Sequence, residues 1–102
     1  MRWRNFSENR EREAAGLVVD TVDFFRGRGH GGQLAIREAA FALDIPARTA
    51  RSLLYGEAVS VSIEKYRALR RRFLDHLDAR TRDFEARAEA ARTRRRQMEL
   101  EL

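Results

Sequence analysis

Ile36-Arg-Glu-Ala-Ala-Phe-Ala-Leu-Asp-Ile-Pro-Ala-Arg-Thr-Ala-Arg-Ser-Leu-Leu-Tyr-Gly56 is the stretch that decides the fold. Two helices that cross through a tight turn need a small residue in the first helix, where the second passes over it. Ala40 fills that place, and its neighbour Ala39 is also small. The turn needs a residue that tolerates the left-handed region; Asp44 is of a tolerated type, although glycine adopts it at less cost. Ile45 follows as a core plug. Ala50 and Leu53, three apart, give the second helix its buried pair, and Leu43 closes the first helix against them. Pro46 suits the start of the second helix, where a missing N–H is harmless. Every apolar position of a helix-turn-helix is filled.

Outward from this stretch the chain reads as helix. Before it, Ser7 to about Phe25 carries Ala14, Leu17, Val18, Thr21, Val22 and Phe25 at three- and four-residue spacing, one apolar face. Ser7 is the expected N-cap, with Glu8 and Glu11 at the positive end of the helix dipole. Trp3 and Phe6 are expected to extend or cover the apolar face. Gly16 costs this helix roughly 1 kcal/mol against alanine, or marks a close helix crossing. The run Arg26-Gly-Arg-Gly-His-Gly-Gly32 is the clearest break. It reads as a linker in which Gly27 or Gly29 ends the helix in a left-handed conformation. A phosphate-cradling loop would need a preceding strand and a Gly-Lys-Ser/Thr ending, and both are missing.

After the break, helices are expected over Gln33 to Leu43 and about Ala47 to Tyr55, with a loop over Gly56 to Val61. Ser62 reads as an N-cap, and Ile63 opens a long helix. Its stripe is Tyr66, Leu69, Phe73, Leu77, Phe84, Ala88, Ala91, Met98 and Leu102. Without glycine or proline from Ser62 to Leu102, one helix about 60 Å long is possible at 1.5 Å per residue. The bulky part, up to Leu77, is expected to join the core. Beyond Phe84 the stripe thins to alanines among charges, including Arg92-Thr-Arg-Arg-Arg96, with Asp83 and Arg87 spaced for an ion pair. That pattern reads as a solvated arm or one side of a partner-dependent coiled coil. The fold expected is all-α: an N-terminal packing helix (1–26), a glycine-rich loop (27–32), a helix-turn-helix core (33–79) and a charged helical arm (80–102).

Composition narrows the function. The 102 residues hold 21 Lys+Arg against 16 Asp+Glu, a formal net charge of +5, with Lys65 the sole lysine. There is no cysteine, so neither a disulfide frame nor a thiolate metal site is available. No run approaches the roughly 20 apolar residues of a membrane span, and the first residues lack an apolar signal core, so a cytoplasmic protein without membrane contact is expected. His30 and His76 are far apart and make a poor metal set. His30 reads as a flexible surface residue, His76 as a partly buried or surface helix residue, and Asp20 and Asp23 as a polar face. No nucleophile–base pair stands out, so no enzyme and no cofactor are expected.

Leu43-Asp-Ile-Pro-Ala-Arg-Thr-Ala-Arg-Ser-Leu-Leu-Tyr-Gly56 resembles the leucine-glycine-valine-serine-x-x-threonine-valine-serine-x-x-leucine-x-glycine run of helix-turn-helix repressors, within the lambda-repressor-like (phage Cro/repressor) class. The likeness spans about residues 33–77. Asp44 stands where the usual turn glycine is, and Pro46 where the usual capping Ser/Thr is. The resemblance implies an all-helical domain whose second helix enters the major groove of double-stranded DNA. Its outward positions, by periodicity as well, are Ala47, Arg48, Arg51, Ser52 and Tyr55. Arg48 and Arg51 would fork onto guanine O6/N7, Ser52 and Tyr55 would touch bases or phosphate, and Arg37 would contact backbone phosphate. The resemblance further implies a transcriptional regulator, a repressor of phage or mobile-element type acting as a homodimer. The arm lies outside the repressor pattern. It opens two alternatives: a phage packaging or assembly subunit, and an adaptor that binds a protein partner through residues 80–102.

Overall fold

The computed structural model describes the backbone of residues 2–57 and 59–101, and the side chains of 9–57 and 59–101. They form four helices and, among the described residues, no strand: α1 (Arg2–Gly27), α2 (Gly32–Leu43), α3 (Ala47–Leu54) and α4 (Ile63–Glu101). The fold is all-α with a long C-terminal helix, as the periodicities predict. Ser7 is not an N-cap, because α1 already begins at Arg2. No glycine or proline interrupts residues 2–6, so the helix continues through Ser7 and denies it the extended dihedrals of a cap. The expected roles of Trp3 and Phe6 concern side chains outside those described.

The same device ends the first three helices. Gly29 (φ 92°), Asp44 (φ 54°) and Gly56 (φ 71°) are left-handed. After α1, the Gly29 N–H donates to the Arg26 carbonyl and the His30 N–H to that of Phe25, at 3.0 and 3.2 Å. After α2, Asp44 donates to Phe41 and Ile45 to Ala40, at 3.2 and 3.0 Å; after α3, Gly56 donates to Leu53 and Glu57 to Ser52, at 3.3 and 2.9 Å. Each pair is a Schellman closure that satisfies otherwise orphaned carbonyls. At the start of α4 the Lys65 N–H donates to the Ser62 hydroxyl at 3.1 Å, so Ser62 is the N-cap.

α1 and α4 run parallel. Their cross-contacts climb together: the Arg10 Nε donates to the Val61 carbonyl, the Tyr66 hydroxyl to the Glu13 carboxylate, Arg80 to Asp20 and Arg28 to Asp83. α2 packs on both and α3 rests on α1 and α2, whereas α3 does not touch α4. The core is Ala14, Val18, Val22, Ala35, Ile36, Ala39, Ala40, Leu43, Ala50, Leu53, Val61 and Leu69, together with buried Thr21, whose hydroxyl donates to the Leu17 carbonyl at 2.8 Å. Five of these are alanines, so the helix axes approach closely.

Two expectations change here. α4 enters the core through only one fully buried residue, Leu69; Tyr66, Phe73 and Leu77 are half-buried. α4 has 39 residues against 12 in α2, so its partners cover only part of its length and of its circumference. Gly16 marks no crossing: it is exposed, and a Cβ placed there meets nothing within 4 Å. The molecule extends 69 × 24 × 19 Å because the end of α4 projects beyond the other helices.

Candidate nucleic-acid interface

The surface singled out by sequence is built on α2, the turn at Asp44 and α3. Ala50 and Leu53 are buried on one side of α3. The geometry of a helix then turns Arg48 and Arg51 outward, three residues apart on one face, and both are exposed. Tyr55, the residue that caps α3, is 63% exposed. Arg37 is exposed on α2. Ala47 and Ser52 are half-buried. Ala47 packs against the core, and the Ser52 hydroxyl donates to the Glu57 carboxylate at 3.1 Å. Arg37, Arg48, Arg51 and Tyr55 are thus free at the surface, while Ala47 is turned toward the core and Ser52 is committed to a local bond.

Pro46 precedes α3 with extended dihedrals (φ −60°, ψ 142°) and brings no side-chain cap. Its carbonyl accepts the Ala50 N–H at 3.0 Å. No side chain caps the first-turn amides of α3, which lie at the positive end of the helix dipole.

The arginines differ in their partners. Arg28, Arg72, Arg80, Arg87, Arg92, Arg95 and Arg96 each pair with a carboxylate within 3.4 Å. Among the described residues, Arg37, Arg48 and Arg51 have no ion pair and no side-chain hydrogen bond. The acid nearest in sequence to α3 on its N-terminal side, Asp44, is held by Arg72 at 3.4 Å. Unpaired guanidinium groups therefore lie on α2 and α3 and also along α4, where Arg67, Arg70, Arg71, Arg82 and Arg94 have no carboxylate partner among the described residues.

Phe41 is a surface residue that the sequence reading did not single out. It is 87% exposed on α2, four residues after Arg37 and so on the same face. The signal was its spacing: Ile36, Ala39, Ala40 and Leu43 define the core side, and position 41 falls off it. Below the turn, a cavity of about 400 Å³ separates α3 from α4; Leu43, Ile45, Leu53, Val59, Val61 and Leu69 contribute to its walls.

At the far end, α1 and α4 lock through rings and charges. Phe24 lies under the Arg80 guanidinium at 4.5 Å and meets His76 edge-on at 5.1 Å. Asp20 pairs with Arg80 at 2.9 Å. Burial, followed by the neighbouring Arg80 charge, pushes the His76 imidazole below the ordinary histidine range. His30 is not a flexible surface histidine. Its ring packs on Phe25 at 5.6 Å and supplies the apolar contact of the Schellman closure, with Nδ1 buried and without a protein partner. Among the described residues, no three His, Asp or Glu side chains converge to hold a metal ion. No described helix is long and apolar enough to cross a membrane.

No protein-family model matches the chain, and no curated protein or solved structure gives a match.

Proposed function

We propose that this protein is a sequence-specific DNA-binding transcriptional regulator, a cytoplasmic repressor of phage or mobile-element type that acts as a homodimer. α2 and α3 are its helix-turn-helix, and α3 lies in the major groove. Arg48 and Arg51 read guanine edges, Tyr55 and Phe41 lie against bases or sugars, and Arg37 binds phosphate. Ala47 lets the start of α3 approach the DNA closely. Ser52 contributes by holding Glu57 away from the groove. The observation that carries the reading is geometric: burial of Ala50 and Leu53 turns Arg48 and Arg51 outward on one face of α3, both exposed and without an acidic partner.

The test is binding to an operator selected from random duplexes, followed by anisotropy across a salt series. Arg48→Ala and Arg51→Ala should each cost about 1–3 kcal/mol on the selected site and relax specificity there. Arg37→Ala should weaken binding on all sequences and lower the salt slope by about 1. If the Arg48/Arg51 double variant binds the operator as the parent does, the assignment is wrong. The projecting end of α4 favours a second reading, an assembly subunit of the phage packaging type or a protein-binding adaptor. A ring-sized particle in light scattering, or one stoichiometric protein partner with no retention on DNA at low salt, would select it.

A further inference from the structure

Among the described residues, no ion pair, hydrogen bond or shared pocket ties α4 to another element past Arg87. The last ion pair across to the end of α1 is Arg28–Asp83 at 2.8 Å. Eighteen more helical residues, 84–101, follow. A helix of that length standing alone in water is marginal even with good formers. Its local ion pairs, Arg92–Glu89, Arg96–Glu89 and Arg95–Glu99, are exposed, and such pairs add only roughly 0.3–0.5 kcal/mol each. Its large apolar groups face solvent: Phe84 is 74% and Met98 57% exposed.

Phe84, Ala88, Ala91, Arg95 and Met98 are spaced four, three, four and three residues apart, and Leu102 continues the series in sequence. This is the spacing of a coiled-coil seam, with Ala88 and Arg95 at a positions and Phe84, Ala91 and Met98 at d positions. We infer that the arm pairs with the arm of a second copy of this chain as a parallel, in-register coiled coil.

The arm's own charges point to the occupant and the direction, since its Arg94 and Glu99 complement each other between two copies. The flanking g positions are Arg87, Arg94 and Glu101, and the e positions Glu85, Arg92 and Glu99. In a parallel pair each g residue meets the e residue five places on in the second copy. Arg94, which has no ion pair among the described residues, then meets Glu99, which it shares with Arg95 at 3.1 Å; Arg87 meets Arg92, where Asp83 compensates Arg87 at 3.2 Å and Glu89 compensates Arg92 at 2.8 Å. An antiparallel pair with Ala88 opposite Met98 sets Glu85 against Glu99, Arg92 against Arg92 and Arg94 against Arg94, leaving only Arg87–Glu101 attractive. Each arrangement has two attractive contacts, but the antiparallel one sets four like-charge contacts face to face and the parallel one three, Arg87–Arg92 twice and Arg95–Arg95 once, so charge favours the parallel direction. Arg95 faces its own copy across the seam, and its long stem lets the guanidinium reach water. A single polar a residue of this kind lowers stability while fixing register and a two-stranded state. The inference does not rest on DNA binding. It would place two α3 helices on opposite sides of one axis at the same end of the molecule.

The chain has no cysteine, so single cysteines report geometry directly. Ala88→Cys, Met98→Cys and, on the outer side of the arm, Thr93→Cys are introduced one at a time into the full chain and oxidised without DNA. Differently tagged Ala88→Cys and Met98→Cys proteins are also mixed before oxidation. The expected result is a covalent homodimer at 88 and at 98, little at 93, and no mixed 88–98 product. The parent should sediment as a dimer at tens of micromolar, and Ala91→Glu should raise its dissociation constant by about tenfold or more. A mixed 88–98 product overturns the parallel direction. A parent that stays monomeric, or cross-linking at 93 as fast as at 88, overturns the pairing. None of these readouts involves Arg48 or Arg51, so failure here and failure of the DNA reading are separable.

Discussion

Replacing Gly16 with alanine should stabilise this protein. Gly16 lies in the interior of the 26-residue α1, at an exposed position. An added Cβ meets nothing within 4 Å, so it neither clashes nor gains a packing contact. The whole effect is then the backbone one: alanine loses less conformational freedom on entering a helix and shields more of the backbone. That difference is about 0.8–1.0 kcal/mol in a helix interior. For a domain of this size, 1 kcal/mol corresponds to about 4–8 °C in Tm. Urea unfolding followed by circular dichroism would measure it, with an unchanged m-value showing that the folded and unfolded states expose the same surfaces as before. The measurement must be made at a fixed protein concentration, because association would itself move the midpoint. A loss of stability would refute the reasoning. It would mean that the Gly16 side of α1 is covered by a second molecule, which would make α1 and not the arm the site of association.

Other outcomes follow from the same contacts. Asp44→Gly should leave stability within about 0.5 kcal/mol of the parent, since relief of the left-handed strain is offset by a floppier unfolded chain and the lost exposed pair with Arg72. Asp44→Val should cost about 1–2 kcal/mol, and a valine variant as stable as the parent would contradict the left-handed turn. The lowered His76 pKa gives stability a defined pH dependence. The neutral ring is favoured in the fold, so its contribution is complete above about 6.5, the unfolded value, and is lost as pH falls through the lower folded value. Unfolding curves from pH 5 to 8 should show this component in the parent and lack it in His76→Phe; identical profiles would show that burial among Phe24 and Phe25 does not shift the imidazole.

The candidate interface was partly legible in the sequence. The spacing of Ala50 and Leu53 fixed which way Arg48 and Arg51 point, because helical periodicity is local. The same rule, applied to Phe41, would have found that exposed ring. Two other properties were not legible. Ser52 lies on the outward face by periodicity, yet its hydroxyl is engaged by Glu57, which only the Gly56 turn brings back to it. Nor does sequence reveal that Arg80 and Arg28 are paired while Arg48 and Arg51 are free, since their acidic partners lie 60 and 55 residues away.

What the sequence determined alone is what nearest neighbours dictate: four helical stretches, a left-handed end at Asp44 and another at Gly27 or Gly29 (the structure selects Gly29), the Ser62 cap, and the buried face of α1. These depend on backbone preferences and on a 3.6-residue period, both properties of a few consecutive residues. What only the tertiary structure decided is how much of each face is covered. α4 carries one continuous stripe, but α1 and α2 are too short to cover its far half. Leu69 is therefore buried while Phe84 and Met98, on the same helix, remain in solvent. Coverage depends on the lengths and placement of helices distant in sequence, and no local pattern encodes it.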